Sequence, residues 1–445
     1  MLTKQNIFAN GNLISFLVAL IPLSIILGNS AININVILIC LWGLATYKFE
    51  IFRIEEKKYH YLIYFFFLYL ILITLIKNIP ILMVDGDIDM SGRNATIHTY
   101  KENIIKSFFF LRFLILFLVI NKIIEKKDLN LNILFISCAF FAFFISFDIL
   151  IQVIFGKNLV GYPITFRPSS FFGQEWVAGG FIQKFSLFFI IFIIALPRNN
   201  KKHLSSIILF IMFFYIILLT GNRMPLLLYF FSILVFFTIQ KKIKEIFIFF
   251  LLAAIIVFSV FKFFPKSRMK SNIHLYFNDS KIILTQLFKS KHIKDEYGSF
   301  LVRDRGLYFL HFNSAIQIWK KDKVFGSGIK SFKLNCTPTK YDRNQLCNNH
   351  PHNYFLELLV DVGIVGLVII YLIFIFCIFD FYKFYRYNSG INSRLHSLPF
   401  FLILLSEFFP IKSSGSFFTT SNAAIIFLIL AILSGISNLS ENKRK

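Results

Sequence analysis

The sequence His350-Pro351-His352-Asn353 closes the one long polar stretch of the chain and runs directly into an apolar helix. Imidazoles at the top of a helix, in a partly dehydrated cleft, titrate near neutrality and suit general-base work. Two histidines around a proline also make a helix-capping structure, and spacing alone does not separate the two readings. Arg223 stands in the turn Thr220-Gly221-Asn222-Arg223-Met224-Pro225, where glycine permits a tight bend and proline opens the next helix without losing a needed N–H. The flanking apolar runs hold its guanidinium at a membrane boundary, either to meet an anion or to snorkel to lipid headgroups.

A second segment, Arg167-Pro168-Ser169-Ser170-Phe171-Phe172-Gly173-Gln174-Glu175-Trp176, enters an apolar run through Ala178, Gly179 and Gly180. Small residues there let a backbone or a ligand approach closely, while Arg167 and Glu175 also fit an interfacial salt bridge. Arg303-Asp304-Arg305 precedes apolar residues at Leu307, Leu310, Ala315, Ile316 and Ile318, the spacing of an amphipathic helix lying on a membrane surface, with His311 about two turns beyond Arg303. Solvated arginines on such a helix are the plainer account of that spacing. Arg112, Lys184 and Glu357 fall inside apolar runs. Ionisable groups are expensive in hydrocarbon, so they face the protein interior, pair, or meet a ligand; Arg112 is expected to have a partner.

The elements that position these residues are membrane helices. With 57% apolar residues and 61 Phe, the composition exceeds the needs of a soluble core. Stretches able to cross about 30 Å of hydrocarbon recur near residues 13–28, 32–47, 61–76, 104–120, 132–155, 177–196, 204–219, 224–239, 246–264, 353–381, 396–411 and 421–436. The expected architecture is an all-α polytopic membrane protein of about twelve helices: about nine in residues 1–264, an extramembrane loop over 265–352 that contains amphipathic helices, and about three in 353–445. Short loops rich in Lys and Arg stay in the cytoplasm. With the N-terminus inside, alternate loops carry Lys48, Arg53, Lys57 and Lys58; Lys122, Lys126 and Lys127; Arg198, Lys201 and Lys202; Lys241, Lys242 and Lys244; and Lys383, Arg386 and Arg394, whereas the opposite loops are sparse. Both termini are then cytoplasmic and the long segment faces outward. The first apolar run lacks a basic leader and a small-residue cleavage site, so no cleavable signal peptide is expected.

The net charge of +24 is spread over separate loops rather than gathered in one patch, which speaks against nucleic-acid binding. Cys40, Cys138 and Cys377 sit in apolar runs, where a thiol behaves as a small hydrophobe. Cys336 and Cys347 lie in the outward segment, close enough in sequence to bridge in a compartment where disulfides persist; two unpaired loop thiols are the alternative. No cysteine or histidine spacing matches a zinc site.

Taken as an ordered set, these residues resemble the O-antigen ligase/polymerase family of membrane glycosyltransferases. The matching pieces are Arg167 through Glu175 with Gly180; Gly221-Asn222-Arg223; Val324-Phe325-Gly326-Ser327-Gly328 after an amphipathic helix with His311 and Trp319; and His352-Asn353 followed by Leu356, Glu357, Asp361-Val362-Gly363 and Gly366. Two mild departures are Ser169-Ser170, where many relatives have Ser-Gly before the Phe-Gly pair, and Asp361, where Glu is commoner. The cysteine pair before His350 resembles the polysaccharide-polymerase side of the family. The resemblance implies a bacterial inner-membrane enzyme, its large loop periplasmic, that takes glycan from an undecaprenyl-pyrophosphate carrier to an acceptor glycan or a lipid A core, with inversion and without a metal or other cofactor. It implies that Arg223 and Arg303 or Arg305 neutralise the departing pyrophosphate and that His352 accepts the acceptor proton. His350 or His311 would assist, and Arg167, Glu175, Asn353 and Arg112 would contact substrate.

Two competing readings follow from other residues. Asp85-Gly86-Asp87-Ile88-Asp89 offers hard carboxylates to Mg²⁺ or Mn²⁺, as in a metal-dependent polyprenyl-phosphate glycosyltransferase, though a solvated acidic loop reads the same way. A lipid-linked glycan flippase or other transporter also needs about twelve helices, but it is expected to show internal repeats and midplane charges, and no clear repeat is visible here.

Overall fold

The computed structural model describes residues 12–53, 58–84, 93–165, 167–195, 202–263, 307–336, 347–387, 390–413 and 415–442. Arg303, Arg305 and the Asp85–Asp89 loop lie outside the described residues, as does most of the 265–352 segment before Leu307. Helices are the regular structure throughout the described residues, apart from one isolated bridge between Lys157 and Pro163. In lipid a helix satisfies every backbone N–H and C=O within its own segment, which is why apolar runs of this length become helices.

The helices are α1 (Asn12–Ala19), α2 (Ile21–Leu27), α3 (Asn29–Tyr47), α4 (Lys58–Val84), α5 (Arg93–Glu125), α6 (Leu131–Phe155), α7 (Ala178–Ala195), α8 (Lys202–Leu219), α9 (Arg223–Ile239) and α10 (Ile243–Phe263). After the polar segment come α11 (Leu307–Trp319), α12 (Ser331–Asn335), α13 (Tyr354–Tyr387), α14 (Ile391–Glu407) and α15 (Thr420–Asn442). Every apolar stretch read from the sequence is helical. The first, expected as one span, is two short helices broken at Leu20: Pro22 has no N–H to continue the ladder and instead opens α2. Among the described residues seven helices are long and apolar enough to cross a membrane: segments of α3 to α7, α13 and α15. The apolar parts of α8 and α9 fall short of that length.

α15 is the axis of the bundle. It is apolar all round, and each residue from Ala423 to Leu433 is buried against α5, α13, α14 or α3. Glycines set the closest helix approaches. A Cβ on Gly43 of α3 would lie 2.3 Å from Val119 of α5, and one on Gly435 of α15 would lie 2.9 Å from Ile124.

α13 is kinked at Gly363, whose φ of 63° and ψ of −169° break the helix one residue past Val362. The turn Val324–Gly328 occupies the break. Ser327 and Gly328 donate to the carbonyls of Val360 and Asp361 at 3.0 and 2.8 Å, and Ile364 and Val365 donate back to Lys323 and Val324 at 3.0 and 3.2 Å. The Tyr69 hydroxyl of α4 bridges the two partners, 2.9 Å from Phe325 O and 3.0 Å from Val362 O. The freed backbone groups of the kink are thus repaired by the turn, which explains why Gly326 and Gly363 are both glycine. A Cβ at position 363 would stand 2.2 Å from Val324 O, and one at 326 would stand 2.4 Å from Gly363 N. Gly363→Ala is expected to lower stability by about 3 kcal/mol, read as a lower thermal midpoint in detergent; a wild-type midpoint would contradict the docking just described.

The polar cap rests on this joint. The apolar side of α11, with Ala315 and Ile318, packs against Phe332 and Cys336 of the α12 segment and Val360 of α13. Lys77 of α4 pairs with Asp322 just after α11, fastening the cap to a second helix.

Candidate functional site

Three imidazoles meet at the start of α13. The His352 ring centre lies 4.2 Å from that of His350 and 5.0 Å from that of His311 on α11. His352 adopts a left-handed backbone, φ 57°, an uncommon conformation for a non-glycine residue that turns the chain sharply into the helix. Asn353 then caps α13: its side-chain oxygen accepts from Leu356 N at 2.9 Å, and its amide donates to the carbonyls of Pro410 and Lys412 at 2.9 and 3.1 Å. Expected as a substrate contact, Asn353 is 4% exposed with both ends of its amide engaged, and it fixes the direction in which His352 leaves the helix. The His352 Nε2 is 3.1 Å from the Asn348 amide nitrogen, an arrangement in which Nε2 accepts and Nδ1 carries the proton.

A disulfide between Cys336 and Cys347, with Cα atoms 5.5 Å apart, ties the strand bearing the histidines to the end of α12. Closing a loop of 11 residues removes chain entropy worth about 3 kcal/mol. Cys347→Ser is expected to raise hydrogen exchange at residues 347–353, and unchanged protection there would show the bridge to be dispensable for holding the histidines.

Burial, reinforced by the neighbouring charges of His352, Lys330 and His311, lowers His350 to about 3. Burial, then His311, also lowers His352 below the ordinary imidazole value. Burial thus favours the neutral form of both rings.

Beneath the imidazoles the cap is held by buried carboxylates. Glu357, 1% exposed, accepts from Ser416 Oγ and Phe417 N, both at 2.6 Å. Asp361, fully buried, accepts from Lys330 N at 2.8 Å and from Ser331 N and Oγ at 3.1 and 2.8 Å, so it caps α12 from α13. The Lys330 ammonium donates to Ser416 Oγ at 2.8 Å and lies 3.8 Å from Glu357, which joins α13, α12 and the 408–419 loop in one network. A neighbouring network has Glu407 paired with Lys184 of α7 at 2.8 Å and with Lys412, and accepting from the Tyr354 hydroxyl at 3.0 Å. The Lys412 ammonium also sits 4.0 Å above the Tyr354 ring, and burial lowers it to about 8 against the opposing pull of Glu407.

The arginine-bearing segments come together on the other side of this end. Gly179, at the start of α7, meets the turn that carries Arg223: a Cβ there would be 2.6 Å from Thr220 Oγ1 and 2.7 Å from the Asn222 amide. The Gly179-Gly180 pair thus makes room for the side chains of that turn. The preceding loop is pinned to α6 by two buried polar residues, Asp148 and Gln152. Asp148 accepts from Ser170 Oγ and Leu159 N at 2.5 and 2.8 Å, and the Gln152 oxygen accepts from Ser169 N and Ser170 N at 3.0 and 2.9 Å. Arg167 stacks over Trp176 with 5.5 Å to the ring, and Glu175 is exposed.

Contacts carry one group to the other. Phe231 of α9 packs 5.1 Å from Phe409, in the loop whose carbonyls Asn353 holds, and Lys184 of α7 reaches Glu407. The starts of α7, α9, α13 and α15 and the end of α14 therefore share one end of the bundle, with Arg223 and His352 both at it. Arg112 of α5 reaches the start of α15. It lies within the bundle, donating to Phe109 O at 2.6 Å and to Thr420 Oγ1 at 3.3 Å, with its guanidinium 4.4 Å over Phe113; its expected partners are thus a carbonyl, a hydroxyl and a ring. Among the described residues no three His, Cys, Asp or Glu side chains converge as a metal site.

Sequence reasoning passed over Asp148, Gln152, Lys330 and Glu407. Asp148 and Gln152 did leave a signal, two polar residues four apart in an apolar run and so on one helix face. Lys330, in an ordinary polar stretch, left none.

These features define a class: a polytopic helical membrane protein with a disulfide-tied polar cap and a cluster of three imidazoles over a kinked helix. Residues 207–371, from α8 into α13, match the family model described as O-Antigen ligase, which supports the likeness to the O-antigen ligase/polymerase family. The match includes Arg223, His311, His350, His352 and Asn353, and leaves Arg112, Arg167 and Glu175 outside. No curated protein matches the chain.

Proposed function

We propose that this protein is a bacterial inner-membrane glycosyltransferase that moves glycan from an undecaprenyl-pyrophosphate carrier to an acceptor on the periplasmic face, with inversion and without a metal. The observation that carries the reading is the family match over residues 207–371, which falls on the imidazole cluster and the Arg223 turn at one end of the bundle. In the step, an acceptor sugar hydroxyl attacks the anomeric carbon from the side opposite the carrier. The new C–O bond forms as the bond to the pyrophosphate oxygen breaks, and the leaving pyrophosphate takes the electron pair. The hydroxyl proton passes to the neutral ring of His352, at the nitrogen that Asn348 faces. Charge growing on the phosphate oxygens is met by guanidinium donors, whose planar fork binds such oxygens in pairs: Arg223, and Arg303 or Arg305 from the residues before α11.

His311 and His350 keep the cluster compact and orient His352, Asn353 holds the start of α13, and Arg167 and Glu175 lie where the glycan would pass. Arg112, half-buried between α5 and α15, contributes through Thr420 at the start of α15. The disulfide favours the polymerase branch.

Purified protein in liposomes, given undecaprenyl-pyrophosphate-linked repeat units with and without a lipid A core acceptor, tests the proposal. A ladder of products identifies a polymerase and one shifted lipid band a ligase; transfer in either form is expected to survive EDTA. Donor crossing the membrane with no new glycosidic bond would establish a transporter instead, and loss of transfer in EDTA would replace the guanidinium chemistry with a metal.

A further inference from the structure

At the end of the bundle opposite His352, the 3-10 turn Lys48–Phe52, the start of α4 and the last turns of α5 and α15 enclose a cavity lined by Arg53, His60, Tyr64, Asn121, Lys122 and Glu125. Two of its polar atoms, Tyr64 Oη and Asn121 Oδ1, are buried and have no hydrogen-bond partner among the described residues. The Asn121 amide nitrogen donates to Phe117 O at 3.2 Å, which leaves the oxygen as an open acceptor. Buried polar atoms without partners are rare because each forfeits its hydration, and two of them on one cavity wall call for an occupant with hydrogen-bond donors.

The lining carries both charge signs. Arg53 and Lys122 are cationic, and Glu125 lies 2.9 Å from the Lys122 ammonium. On the turn beside Arg53, Phe49 is 85% exposed and Phe52 45%. The apolar span that begins at Asn29 ends at Phe52, next to the basic Arg53, so the cavity mouth stands at headgroup depth. Its volume of about 30 Å³ takes roughly two waters, enough for the terminal group of a headgroup and too little for a sugar.

The geometry points to a binding site for an ethanolamine phospholipid. The ammonium, with three donors and no acceptor, enters the cavity, where Tyr64 Oη and Asn121 Oδ1 accept from it and Glu125 balances its charge. The phosphodiester stays at the mouth against the exposed Arg53. A choline headgroup brings three methyl groups and no donor; a glycerol headgroup brings hydroxyls but no charge for Glu125. The site is independent of the glycan chemistry at the other end.

Native mass spectrometry of the delipidated full-length protein in detergent tests this, with phosphatidylethanolamine, phosphatidylglycerol and phosphatidylcholine as lipids and phosphoethanolamine as the soluble arm. Phosphatidylethanolamine is expected to bind about tenfold more tightly than phosphatidylcholine. Tyr64→Phe and Asn121→Leu, each checked for a wild-type melting curve, are expected to cut that preference about threefold or more. Equal retention of the three lipids, or an unchanged preference in both variants, overturns the proposal and leaves a water-filled cavity. Phosphoethanolamine binding as tightly as the lipid overturns the membrane as the source.

Discussion

His352→Ala is expected to lower the rate of glycan transfer by about 10²–10⁴-fold, the range for loss of a positioned general base. The effect is placed on this residue because its ring stands between His350 and His311 and its backbone is bent into a left-handed turn at the mouth of α13. That local strain is maintained by Asn353, which grips both its own helix and the 410–412 turn. The pH profile carries a second expectation. A histidine whose value is lowered by burial keeps its neutral, proton-accepting form below pH 6.5 and loses it only as pH falls further, through the depressed value. Transfer is therefore expected to stay flat from pH 8 to below 6.5, with its acid limb beneath the ordinary imidazole range. A limb centred at 6.5 or above in wild-type protein would mean that His352 titrates as an exposed side chain does.

Arg223→Ala is expected to cost about 10²–10³-fold in turnover, the usual loss when one donor to a developing anion is removed. Arg223→Lys keeps the charge without the planar fork, so it should recover part of that loss and not all of it. The turn around Arg223 is built for accuracy: Gly179 admits the Thr220 and Asn222 side chains at distances that leave no room for a Cβ, so the guanidinium is carried on a rigid junction of two helices. A purely interfacial arginine on that turn would tolerate both substitutions with little change in rate. Folding of each variant is checked by its melting curve.

Much of this architecture was legible because the bilayer imposes simple rules. Hydrocarbon thickness bounds helix length, and the apolar stretches read from the sequence are helical, the first of them as two short pieces. The break at Leu20 was missed because a proline near the start of a run can either open a helix or interrupt one, and hydropathy does not register the difference. The glycine patterns at 326–328 and 363 were visible as motifs, yet their meaning, a turn docked into a kinked helix, depends on two segments about forty residues apart in sequence meeting in space. For α11 the apolar spacing was visible, but its packing partners, α12 and α13, were not. Arg223 and the histidines were recognisable by residue type and position, whereas Lys330 gained its place only through the fold, from the carboxylates and the hydroxyl that surround it. Asp148 and Gln152 lie between: their presence in an apolar run was a clue, and the loop backbone they hold was not.

The account rests on one claim, that Arg223 and His352 act together on a sugar leaving its pyrophosphate lipid. Its most direct test is single-turnover release of undecaprenyl pyrophosphate by wild-type, Arg223→Ala and His352→Ala protein, each folded and reconstituted in liposomes with the lipid-linked donor and an acceptor. The account predicts stoichiometric release with an inverted glycosidic linkage in the wild type and release slowed by about a hundredfold or more in each variant. Release at the wild-type rate from either variant would contradict it.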